Sequence, residues 1–112
     1  MGLNEFLKQL RDAAEKSGII KKEEALQIGF TRVKMRYLLI DGSYVDVFTN
    51  VVLDKQYYHW QKADGKIYRV NNFPAEGWHE RIDFENKKKP CRKITPYEFF
   101  DKVKKEIEKQ FK

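Results

Sequence analysis

From Thr31 to Asn50 the chain alternates apolar and polar residues with a period of two, and one Asp-Gly turn interrupts the pattern. Thr31, Val33, Met35, Tyr37 and Leu39 fall on one side, and Arg32, Lys34 and Arg36 on the other. Beyond Asp41-Gly42-Ser43, Val45, Val47, Thr49 and Val51 share a side, with Tyr44, Asp46, Phe48 and Asn50 opposite. Such alternation makes half-buried strands, and a short turn between two of them makes a hairpin. A turn near Asp54-Lys55 leads to a second pair, Gln56–Lys62 and Lys66–Asn72, around Ala63-Asp64-Gly65. His79–Phe84 reads as a short fifth strand after the loop Phe73–Gly77. Strands joined this closely form an antiparallel meander of four to five strands.

A meander with one apolar face needs a cover, and the two ends of the chain can supply it. Leu3, Phe6, Leu7, Leu10, Ala13 and Ala14 recur at helical spacing, with Asn4 as cap and Gly18 as stop. A second helical turn is expected over Lys22–Ile28. Near the other end, Thr95 with Pro96 and Glu98 spells a capping box. Phe99, Phe100, Val103, Ile107 and Phe111 follow as an apolar stripe. The expected fold is α+β, an antiparallel sheet with an N-terminal and a C-terminal helix on one face, and 112 residues fit a single domain spanning 1–112.

Register decides which side chains share a face, because a slip of one residue inverts a strand. A three-residue loop Ala63-Asp64-Gly65 pairs Trp60 with Tyr68 and Tyr58 with Val70, and sets His59 opposite Arg69 and Tyr57 opposite Asn71. A two-residue Asp64-Gly65 turn would mix polar and apolar residues on both faces. Taking Asp41-Gly42-Ser43 as the first loop pairs Leu39 with Val45, Tyr37 with Val47 and Met35 with Thr49. The face left for solvent then carries Arg32, Lys34, Arg36, Tyr57, His59, Gln61, Arg69 and Asn71.

Charge gives that face a partner. The chain holds 23 Lys and Arg against 17 Asp and Glu, for a net charge of +6. A basic surface with an aromatic and amides suits RNA: cations for phosphate, Tyr57 for stacking, Gln61 and Asn71 for base edges. A solvated face without function is the plain alternative. The high share of Lys and Glu is also a pattern of hyperthermophile proteins. The lone Cys91 excludes an internal disulfide and a cysteine-rich zinc site. His59 and His79 lack close ligand spacing, and a carboxylate from Asp46 or Asp83 would have to join them, so no metal is expected. The six glycines sit scattered at turns, with no phosphate loop, and no cofactor is expected. Met1–Leu10 shows no signal-peptide pattern and no apolar run approaches about 18 residues, so a soluble cytoplasmic protein away from membranes is expected.

Tyr58-His59-Trp60-Gln61, followed by Asp64-Gly65 and then Arg69, Asn72 and Pro74, resembles the TumE-type toxin family of prokaryotic toxin–antitoxin modules. The Ile40-Asp41-Gly42-Ser43 turn and the charged terminal helix are also similar, so the resemblance covers about Val33–Lys109. Asn71 stands where the family usually has Asp, Ala75-Glu76 replaces a histidine pair, and His79 remains of the second histidine cluster. The resemblance implies a toxin partnered by a helix-turn-helix antitoxin and, by analogy, a ribonuclease. For metal-independent RNA cleavage the candidate groups are His59 as general acid or base, Arg69 on the phosphate, Tyr57 as stacking or proton-donating group, and His79 as a second proton carrier from the loop. Lys34, Arg36 and Arg32 would anchor the backbone. Two other readings remain open: a non-catalytic module binding RNA or protein, and a structural domain that forms a homodimer.

Overall fold

The computed structural model describes residues 2–73, 77–82 and 89–110. Helix α1 (Leu3–Ser17) leads into strands β1 (Ile20–Ile28), β2 (Arg32–Leu39), β3 (Tyr44–Asn50), β4 (Lys55–Gln61), β5 (Ile67–Phe73), β6 (Gly77–Ile82) and β7 (Lys89–Pro90), and helix α2 (Pro96–Gln110) follows. The strands form one antiparallel sheet in the order of the chain, seven strands rather than four or five. Among the described residues no helix is long and apolar enough to cross a membrane.

The expected helical turn at Lys22–Ile28 is instead the edge strand β1. Its Lys, Glu, Ala, Leu and Gln favour a helix locally, but that preference is weak. Pairing with β2 satisfies a backbone edge that would otherwise lie open, and Gly18, left-handed at φ 71°, turns the chain straight from α1 toward it. Two bulges and the run Lys21-Lys22-Glu23-Glu24 then blunt the new edge against pairing with another chain. The fifth expected strand lies over Gly77–Ile82; Asp83, Phe84 and the connector up to Lys88 are outside the described residues, as are loop residues 74–76 and Phe111. Gly2, not Asn4, occupies the cap position of α1, and it offers no side chain to the helix.

The hairpins β2–β3 and β4–β5 are built alike. Leu39 N–H donates to the Ser43 carbonyl at 2.9 Å and Gly42 N–H to the Leu39 carbonyl at 3.1 Å. Lys62 N–H donates to the Lys66 carbonyl at 2.9 Å and Gly65 N–H to the Lys62 carbonyl at 3.1 Å. In both, an aspartate Oδ1 accepts the N–H two residues on, Ser43 at 3.0 Å and Lys66 at 2.9 Å. The glycine that follows has φ 87° at Gly42 and 91° at Gly65, a conformation that other residues resist. The loops are therefore Ile40-Asp41-Gly42 and Ala63-Asp64-Gly65. The second is the expected loop. The first lies one residue earlier than expected, so Tyr37 pairs with Val45, Met35 with Val47 and Val33 with Thr49. Each partner moves by two residues, which preserves the faces.

One face packs under both helices. Val33, Met35, Tyr37, Leu39, Val45, Val47, Tyr58, Trp60, Tyr68 and Val70 are buried with Phe6 and Leu10 of α1 and Phe99, Phe100, Val103 and Ile107 of α2. Phe99 stacks on Tyr58 with ring centres 5.0 Å apart, and Phe100 meets Tyr37 edge-on at 5.5 Å. The capping box forms as read: Glu98 N–H donates to Thr95 Oγ1 and Thr95 N–H to Glu98 Oε1, each at 3.2 Å. With the helices on one side, the opposite face of the sheet is left for other work.

Candidate functional site

Two cross-strand rows cross that open face. The first runs Glu24, Arg36, Asp46, His59, Arg69, Arg81. The second runs Gln27, Lys34, Phe48, Tyr57, Asn71, His79. Among the described residues, charge is compensated in one half of the first row only. Arg36 grips Asp46 through Nε at 2.7 Å and Nη2 at 2.9 Å, and its guanidinium lies 4.5 Å from the Tyr44 ring centre. This pairing holds the Arg36 pKa above its ordinary value. Beyond His59, Arg69 and Arg81 stand directly opposite each other, two like charges side by side.

A cleft of about 600 Å³ opens over this uncompensated half. Arg32, Lys55, Arg69 and Arg81 supply its cations, His59 and His79 its imidazoles, and among the described residues no carboxylate lines it. Arg69 Nε is buried and, among the described residues, has no hydrogen-bond partner. A buried donor left unpaired costs free energy, and it sets Arg69 apart from Arg36, whose guanidinium is taken up by Asp46.

His59 is half-buried in the floor of the cleft. Its Nε2–H donates to Asn71 Oδ1 at 3.1 Å, which leaves the lone pair on Nδ1. Burial lowers its pKa below the ordinary value of 6.5, against the Asn71 hydrogen bond, which acts to raise it; Arg69 lowers it further. The imidazole is therefore neutral at pH 7 and can accept a proton. Its ring stacks on Tyr57 at 4.1 Å, and Tyr57 stacks on Phe48 at 5.1 Å.

His79 lies within β6, as the expected strand from His79 had it, and is buried there, so it would act from the strand and not from the loop before it. Its Nδ1–H donates to the Gly77 carbonyl at 3.2 Å, and it faces Asn71 across β5 and β6. Asn71 thus stands between the two histidines. Among the described residues no three His, Cys, Asp or Glu side chains group as metal ligands.

The cleft brings together Arg32, Tyr57, His59, Arg69, Asn71 and His79 of the residues read from the sequence, and leaves out Lys34, Arg36 and Gln61. Lys34 caps the Tyr57 ring at 6.0 Å, Arg36 is committed to Asp46, and Gln61 Nε2 donates to the Lys66 carbonyl at 3.5 Å. The Tyr57 ring is already stacked inside the protein. Sequence reasoning missed Arg81, Lys55 and Phe48 as site residues. Continuing the period of two from His79 would have placed Arg81 on the same face.

No protein-family model, curated protein or solved structure matches the chain.

Proposed function

We propose that the protein binds RNA in this cleft and cleaves it without a metal ion, as the toxin of a toxin–antitoxin pair. The observation that carries the catalytic part is a histidine kept neutral by burial beside an arginine whose buried Nε has no partner among the described residues, in a cleft whose described lining holds cations and no carboxylate. The toxin role and its helix-turn-helix antitoxin rest on the resemblance of the Tyr58–Pro74 motif.

The reaction needs a base, an acid and a cation. His59 Nδ1 takes the proton of a ribose 2′-OH, and the oxygen attacks the adjacent phosphorus. The bond from phosphorus to the 5′-oxygen breaks, and that oxygen takes a proton from a general acid, the role given to His79. The products are a 2′,3′-cyclic phosphate and a 5′-hydroxyl end. Arg69 donates from Nε to the phosphate, whose charge grows in the transition state. Arg32, Lys55 and Arg81 hold neighbouring phosphates. Tyr57 backs the imidazole and fixes the plane of its ring.

The test is cleavage of a single-stranded RNA by purified protein in EDTA, with His59→Gln and Arg69→Ala as variants. The expected result is cleavage that falls by about 10² or more in each variant. RNA binding without cleavage by the wild type under these conditions would instead favour a non-catalytic binding module.

A further inference from the structure

Apart from Ile40 in the β2–β3 turn, the most exposed apolar residues of the sheet gather at one end. Phe30, fully exposed, tips the β1–β2 turn beside Ile28; Val52 and Leu53, 70% and 55% exposed, tip the β3–β4 turn. The turns lie side by side, since Val51 N–H donates to the Thr31 carbonyl at 2.9 Å. Asn50 Oδ1 holds the second turn by accepting from Val52 and Leu53 N–H at 3.1 and 3.0 Å. The result is a fixed apolar prow. It is continuous with the cleft, because Leu53 lines the cleft, and Arg32 and Lys55, also in the lining, flank the two turns.

We infer that the substrate is a single strand, which runs from the cleft onto the prow and stacks a base on Phe30. This rests on the RNA reading above. The reacting phosphate must reach a buried Arg69 Nε and a half-buried His59. A nucleotide held in an A-form duplex cannot leave its stack to enter so recessed a site, whereas a single strand can splay. The prow then meets the exposed base faces of that strand, and the cations beside it meet the phosphates, the alternation by which single-stranded nucleic acid is held.

The test compares an eight-nucleotide single-stranded RNA and a hairpin containing the same sequence as duplex, with wild type and Phe30→Ala. Binding of the single strand with no comparable binding of the duplex is expected. Phe30→Ala should weaken binding of the single strand by about tenfold, the size of one base–aromatic stack. Equal binding of duplex and single strand, or an unaltered affinity in Phe30→Ala while RNA still binds, overturns the inference and leaves the RNA reading standing. Failure of every RNA to bind overturns both. Sedimentation of the same two proteins without RNA provides a further check: a dimer that Phe30→Ala dissociates would give the prow to a second copy and overturn the inference.

Discussion

His59 and Asn71 are joined across β4 and β5 by a 3.1 Å hydrogen bond, and the amide oxygen that accepts it carries no charge. A carboxylate in the same place would stabilise the imidazolium. Asn71→Asp should therefore raise the His59 pKa, and the acid limb of any cleavage profile should move up with it. Titration of the His59 ring by NMR measures the shift, and a downward or absent shift would contradict the assigned hydrogen bond.

The lowered His59 pKa is also a statement about stability. The unfolded chain takes up this proton near the ordinary value of 6.5, before the folded protein does. The contribution is thus present above that pH and is lost as pH falls toward the folded pKa. Urea unfolding between pH 7.5 and about 5 should show stability falling with acid, and His59→Gln should flatten that slope.

Arginines on the same face should behave differently. Arg36→Ala leaves the buried Asp46 without its partner and should cost about 2 kcal/mol of stability. Arg32→Ala removes no such partner and should weaken RNA binding instead, lowering the salt slope by about one phosphate contact. Paired unfolding and binding measurements on the two variants check the division.

Tyr58 opens the motif that carries the family resemblance, yet its hydroxyl is buried without a hydrogen-bond partner among the described residues. Its ring, stacked on Phe99, is what the core uses. Tyr58→Phe should leave stability unchanged or raise it by about 1 kcal/mol, since the change removes an unsatisfied polar group. A marked loss in urea unfolding would reveal a partner for that hydroxyl.

The sequence was most legible where local chemistry and burial agree. Alternation placed β2 to β5, the Thr95–Glu98 box placed the start of α2, and Asp64-Gly65 with consistent burial placed His59 opposite Arg69. The first hairpin shows the limit: either choice of loop around Gly42 gives the same faces, so burial could not decide between registers two residues apart. β1 was hidden because its residues prefer a helix and its strand state comes from pairing with β2. The site was legible as a face but not as a cleft. Arg36 and Arg69 look alike in the pattern, and only the position of Asp46 separates the paired cation from the one left open.

In the proposed reaction Arg69 and His59 meet the phosphate of an RNA strand. The most direct measurement follows the Arg69 Nε–H and the His59 ring resonances by NMR while a single-stranded RNA with 2′-O-methyl riboses, unable to be cleaved, is added. Both should shift together at saturating oligonucleotide, with the Arg69 Nε–H moving to the position of a strong charge-assisted hydrogen bond. An oligonucleotide that binds while both resonances stay in place would contradict that contact.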